Sequence, residues 1–207
     1  MPRAGLTPER VVRAAADVAD ETGPEKLTLA AVARRCGVSL PGLYKHVDGL
    51  DAVRRGIAML AVEELAARLA AAAAGVAGRE ALVELSAAYR GYAAEHPGRY
   101  ALSVRAPEPG DTEHEAVSDR AVAVVASAFK GYRLDDGGLV HAIRMWRIAC
   151  HGFVTLERDT AFGLPESLDE TFDRLVDALD QAFREAAPQR AAEPERPARG
   201  RRPRRPQ

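Results

Sequence analysis

Apolar residues recur with a helical period along almost the whole chain, and no alternating run is bounded by paired turn residues as a strand would be. Thr7-Pro8-Glu9 supplies an N-cap, a first-turn proline and a first-turn acid. Val11, Val12, Ala15, Val18 and Ala19 then share one side of a helix that Gly23-Pro24 stops. Thr28 caps a short second helix carrying Leu29, Val32 and Ala33, which Gly37 ends. The pattern predicts a third short helix at about 39–46 and a long one at about 50–74. Further helices are expected at about 79–95, 97–104, 111–131, 136–159 and 167–186. Asp111 and either Asp135 or Asp136 are N-cap candidates, and Ser167 with Glu170 has capping-box spacing. The fold class expected is therefore all-α, and no internal repeat interrupts it.

Composition agrees: Ala, Leu, Glu and Arg, which lose little side-chain entropy in a helix, dominate a chain with 5% aromatic residues. No apolar run reaches the ~18 residues of a membrane span, because Arg68, Gly75 and Gly78 break the Ala-rich stretch at 65–77. The N-terminus MPRAGLTPER lacks the apolar core of a secretory signal, so a cytoplasmic location without a membrane partner is expected. Cys36 and Cys150 are too few for a disulfide framework; they read as two buried thiols or as a thiol-based redox switch. One lies among the short N-terminal helices and the other far along the chain, which argues against a direct bond between them. His96, His114 and His141 have no His or Cys partner at i+3 or i+4, so no metal is expected. Nor is there a phosphate-binding loop, a nucleophile elbow or a dinucleotide fingerprint, which argues against an enzyme and against a cofactor. Charge is unevenly spread: residues 1–47 carry a net +2, residues 48–187 a net −8 and residues 188–207 a net +5. A polyanion would be repelled by the middle and attracted to the two ends.

The segment from Leu27 to Val53, LTLAAVARRCGVSLPGLYKHVDGLDAV, reads as a helix, a tight Gly37-Val38 turn and a second short helix. Val32, Ala33, Val38, Leu43 and Val47 can pack against Val11, Ala15 and Val18 as a three-helix unit. Ser39, Leu40, Pro41, Gly42, Lys45 and His46 are left facing outward. A helix-turn-helix works by fitting its second helix into the major groove. At Leu27-Thr28, Val32-Ala33, Gly37-Val38-Ser39 and Leu43-Tyr44-Lys45-His46-Val47 the sequence resembles the DNA-binding domain of the TetR family. The resemblance implies a DNA-binding head at 1–49 and a helical ligand-binding and dimerisation domain at 50–187. Thr28, Tyr44 and His46 would contact the DNA backbone, and Ser39, Leu40, Pro41, Gly42 and Lys45 would lie in or beside the major groove. The Tyr44 ring could instead pack under the first helix, with its hydroxyl alone at a phosphate. Arg34 and Arg35 either touch DNA or merely solvate the second helix, and Arg3 is a candidate for one more contact. Two positions depart from the family pattern. Ala30 stands where some relatives carry a base-reading cation, and Leu50 where many carry a phosphate-binding lysine.

In the C-terminal part, His151-Gly152-Phe153 and the residues after it, with Trp146 close by, resemble a subclass of TetR C-terminal domains named for Trp, His and Gly. Phe153 and Leu156 share a helix face. Phe172, Leu175, Val176, Leu179 and Phe183 form an apolar stripe on the last helix. With Gly152 allowing close approach, these residues could form a homodimer interface, or the stripe could pack within one chain. A pocket between the middle helices could be lined by Tyr89, Tyr92, Leu102, Phe129, Trp146, Arg147, Cys150 and His151, each of which also makes sense as plain core. The function expected is a regulator that binds operator DNA as a homodimer. It would be a repressor released by a small apolar effector, or an activator or ligand-independent regulator of the same fold. The Pro- and Arg-rich segment 188–207 cannot build a core and is expected to be disordered.

Overall fold

The structure, a computed structural model, describes residues 5–187. The expected disorder of 188–207 and the candidate contact of Arg3 lie outside the described residues. Nine α-helices make up the described chain: α1 (Pro8–Thr22), α2 (Leu29–Cys36), α3 (Leu40–Leu43), α4 (Leu50–Ala72), α5 (Arg79–Glu95), α6 (Pro97–Ser103), α7 (Thr112–Phe129), α8 (Asp136–Arg158) and α9 (Leu168–Glu185). Side chains cap most of the predicted starts. Thr7, Thr28, Asp111 and Ser167 each accept a hydrogen bond from the backbone N–H three residues on, at 3.1–3.3 Å. Of the two candidates before α8, Asp135 is the cap, at 2.7 Å from the Gly138 nitrogen. Glu170 turns forward to Arg174 rather than back to Ser167, so only half of that capping box forms.

Two hydrophobic cores result. Val11, Ala15, Val18, Leu27, Val32, Ala33 and Leu43 close the first around α1–α3. The second fills the space between the later helices, with Leu82, Leu85, Phe129, Trp146 and Phe183 among its buried members. Helix α4 belongs to both: Val53 and Ile57 at its start complete the first core, and Ala61 and Leu69 enter the second. A boundary drawn at residue 49 or 50 therefore falls at the end of a helix that serves both sides.

The two parts are also joined through α6, which lies directly on α1. A Cβ added to Gly98 would stand 2.1 Å from the Ala19 carbonyl oxygen, so only glycine allows this crossing. One residue on, the Arg99 backbone N–H donates to Asp20 at 2.8 Å. The Arg99 guanidinium pairs with Asp17 and Asp20 on α1 and with Glu64 on α4.

The apolar stripe of α9 is used inside the chain. Phe172, Val176, Leu179 and Phe183 are buried in the second core together with Phe153. The ring centroids of Phe153 and Phe172 lie 4.8 Å apart, and the Arg90 guanidinium covers both rings at 5.1 Å. These five residues are thus not a free interface. Periodicity marks an apolar face, and here α5 and α8 of the same chain cover it. Gly152, Leu156 and Leu175 remain at or near the surface. Gly152 and Leu156 continue a different stripe on the outer side of α8, with Met145 and Ile148.

Candidate functional site

The turn between α2 and α3 is made by Gly37 in the left-handed conformation, φ +68°, with the Val38 N–H reaching back to the Ala33 carbonyl at 3.0 Å. This closure sends Val38 inward and starts α3 at once, where Ser39 caps it through the Gly42 N–H at 3.2 Å. The recognition segment is shorter than the 39–46 helix expected. Regular helix spans Leu40–Leu43, and 44–46 continue as a turn held by the His46 N–H on the Leu43 carbonyl at 2.9 Å. Pro41 occupies the first turn, where its missing N–H costs nothing.

Leu43 is fully buried beneath the segment, and around it Thr28, Ser39, Leu40, Pro41, Tyr44 and Lys45 are exposed while Gly42 and His46 are half-buried. Tyr44 is 55% exposed, so it does not pack under α1. The eight residues expected at DNA thus sit at the start of α2, where Thr28 is the cap, and along α3 and the turn that follows it. Arg34 and Arg35 are both exposed; Arg35 is tied to Glu21, whereas Arg34 has no ion pair among the described residues. Leu50 packs against the first core, which accounts for an apolar residue there in place of a phosphate-binding lysine.

A cavity of about 180 Å³ lies in the other half, between α4, α7, α8 and the segment that follows α6. Of the eight residues expected to line a pocket, Tyr89, Trp146, Arg147 and His151 do so. The other four sit elsewhere. Phe129 is enclosed in the second core between Trp146 and Phe183. Cys150 is 1% exposed in the same core. Tyr92 turns away to donate its hydroxyl hydrogen to Glu64 at 3.1 Å. Leu102 packs against the DNA-binding head, because its side of α6 faces the junction rather than the cavity. Spacing along the chain cannot separate these cases, since all but the exposed Arg147 lie on inward faces of their helices.

One side of the cavity, at Tyr89, Trp146 and His151, is backed by a hydrogen-bonded aromatic cluster. The Trp146 indole N–H donates to Ser86 at 3.0 Å, and Ser86 donates to the Leu82 carbonyl at 2.7 Å. The Tyr89 and Tyr100 hydroxyls are 3.0 Å apart, and the Tyr100 hydroxyl lies 2.6 Å from His151 Nδ1. Burial, with Arg147 and Arg158 beside it, holds the His151 imidazole below its ordinary pKa and so favours the neutral ring. Burial drives the Cys150 thiol up to about 12. Sequence reasoning missed Tyr100 and the wall from Ser103 to Pro107; no spacing links them to Tyr89 or His151, which are distant in the chain. Among the described residues no cluster of side chains is arranged to hold a metal ion, and no helix is long and apolar enough to cross a membrane.

A capped helix-turn-helix with an exposed second helix, carried by an all-helical body with a cavity, defines a DNA-binding regulator. Comparison with known proteins makes this specific. Residues 11–47 match the family of bacterial regulatory proteins called tetR, and residues 82–179 match the tetracyclin repressor-like C-terminal domain. An uncharacterized HTH-type transcriptional regulator of Mycobacterium tuberculosis, Rv0681, is 36% identical over 155 residues, which cover 74% of this chain and 71% of that protein. Another from Bacillus subtilis, YobS, is 34% identical over 172 residues, covering 82% of this chain and 88% of that one. Among solved structures, a TetR variant from Acinetobacter baumannii in complex with minocycline superposes with a TM-score of 0.64 at 21% identity, covering 87% of this chain and 98% of that one. ActR of Streptomyces coelicolor in complex with (S)-DNPA gives 0.65 at 14% identity, covering 89% and 100%. The chain belongs to the TetR family of DNA-binding transcriptional regulators.

Proposed function

We propose that this protein is a cytoplasmic repressor that binds operator DNA as a homodimer and leaves it when a small, mainly apolar effector enters the cavity beside Trp146. The observation that carries this reading is the course of α6. Its start grips α1 of the DNA-binding head through Gly98 and Arg99, and its last residue, Ser103, lines the cavity with the segment up to Pro107. A ligand that displaces this wall moves the head. Two heads bind a palindrome only when their separation matches the half-sites. By linkage, the effector weakens operator binding by the factor with which operator weakens effector binding. The two solved neighbours bound to small molecules support an effector in a body of this shape.

In this reading Thr28, Tyr44 and His46 hold the DNA backbone, while Ser39, Leu40, Pro41, Gly42 and Lys45 face the groove. The dimer forms through the outer stripe of α8, Met145, Ile148, Gly152 and Leu156, with the neighbouring Leu175 of α9. Met145, Ile148 and Leu156 are exposed in the single chain, and Gly152 leaves room there for a close helix approach. The test is a gel shift with operator selected from random DNA. Gly42→Glu places a carboxylate against the groove and abolishes the shift, whereas Lys45→Ala lowers the salt dependence by about 1 per half-site. Normal binding by a folded Gly42→Glu protein would refute the assignment of the recognition helix.

A further inference from the structure

The cavity beside Trp146 has a charge bias opposite to that of its surroundings. Its lining includes Arg105, Arg147 and His151 and no carboxylate, although residues 48–187 carry a net −8. Elsewhere in this region arginines are mostly tied to carboxylates. Arg55 is held by Asp111 and Glu113, Arg68 by Glu95, and Arg90 by Glu157 and Asp169. Arg105 and Arg147 make no ion pair among the described residues; Arg147 reaches the Val104 carbonyl at 3.5 Å, the outer limit of a hydrogen bond. Both are exposed and so stand at the solvent side of the cavity. His151 uses Nδ1 toward Tyr100, and its Nε2 has no protein partner among the described residues. Behind these groups the walls are apolar, with Leu65 and Leu69 from α4, Val125 from α7, and Ile143 and Trp146 from α8.

Building on the effector reading, we infer that the effector is a small monocarboxylate with an apolar body. Each class of small molecule meets this cavity differently. A cation is repelled by two uncompensated guanidiniums. A neutral apolar molecule fills the walls but gains nothing from the two guanidiniums at the solvent side. A sugar phosphate finds the anion site but would desolvate its hydroxyls against leucine and valine without partners. A carboxylate satisfies Arg147 and Arg105 in the planar, paired geometry that guanidinium favours, and its body lies against Trp146. Size narrows the class further. The cavity is smaller than the ~300–1,000 Å³ of sites for drug-sized ligands, so the body is one aromatic ring or a short acyl chain.

Trp146 is the single tryptophan of the chain and lies in the wall, so its fluorescence reports occupancy. The full-length protein is titrated with benzoate and hexanoate, and with their neutral isosteres benzamide and hexanamide. Release of a labelled operator fragment is recorded separately. The carboxylates are expected to bind at least tenfold more tightly than the amides. Arg147→Gln and Arg105→Gln/Arg147→Gln should erase most of that preference by weakening carboxylate binding alone. Amides that bind as well as carboxylates, or a preference that survives in the double variant, would overturn the inference. If amides nevertheless release operator, the effector reading stands without its anionic part. If neither series perturbs Trp146 or releases operator, both readings fall together.

Discussion

Replacing Gly98 with alanine tests whether α6 is clamped to α1 as closely as the structure shows. The new Cβ would lie 2.1 Å from the Ala19 oxygen, 2.2 Å from its carbon and 2.5 Å from the Asp20 nitrogen. All three obstacles are helix backbone, so no rotamer change removes the clash. To restore an ordinary contact of about 3.5 Å, α6 has to retreat by about 1 Å or more. That retreat stretches the 2.8 Å bond from the Arg99 N–H to Asp20 and loosens the Arg99 ion pairs with Asp20 and Glu64. Overpacking costs roughly 1–3 kcal/mol, and a weakened bond to a charged group up to about 1.5–3 kcal/mol. The intrinsic helix gain of alanine over glycine returns about 1 kcal/mol. The net loss is about 3 kcal/mol, which for a domain of this size corresponds to a fall in Tm of roughly 6–12 °C. Thermal unfolding followed by circular dichroism at fixed protein concentration measures it. Gly137→Ala, also in a helix but with only an ordinary 3.7 Å contact, serves as the control and melts at or slightly above the wild-type temperature. A Gly98→Ala protein that melts with the control would refute the close crossing.

Three further outcomes are expected. Ile148 is 71% exposed in the single chain, so Ile148→Glu should leave the fold within about 0.5 kcal/mol of wild type yet convert dimer to monomer in sedimentation, whereas Phe172→Asp unfolds the chain; a dimeric Ile148→Glu protein would place the interface elsewhere. The His151 pKa is depressed in the fold by burial and by Arg147 and Arg158, with the Tyr100 hydroxyl at Nδ1. The unfolded chain therefore takes up this proton first, and stability declines as pH falls below about 6.5 until the folded pKa is passed. His151→Gln should flatten that part of the denaturant-midpoint profile, and an identical slope in both proteins contradicts the shift. Cys150, buried and with its thiol raised to about 12, should resist iodoacetamide at pH 8 in the native protein, so that one thiol is labelled natively and two in denaturant; two labelled native thiols would contradict its burial and reopen the redox reading.

The sequence by itself was enough for the helix set and for the head. Caps and stops act within a few residues of chain, so Thr7, Thr28, Asp111 and Ser167 mark helix starts that the folded protein keeps. The helix-turn-helix was legible for the same reason: Gly37, the apolar positions and the outward residues lie within about 25 consecutive positions, and their spacing alone orients them. What lies across the fold was not legible. Period 3.6 showed that α9 has an apolar face but not that α5, α8 and Arg90 of the same chain would cover Phe172. It marked Phe129, Cys150 and Leu102 as inward-facing, yet only the packing of helices distant in sequence decided that the first two fill a core and the third a junction. The Tyr89–Tyr100–His151 chain and the grip of Arg99 on Asp20 and Glu64 join residues 11 to 79 positions apart. Such contacts depend on how whole helices cross, and crossing is set by the summed packing of both surfaces, which no local pattern records.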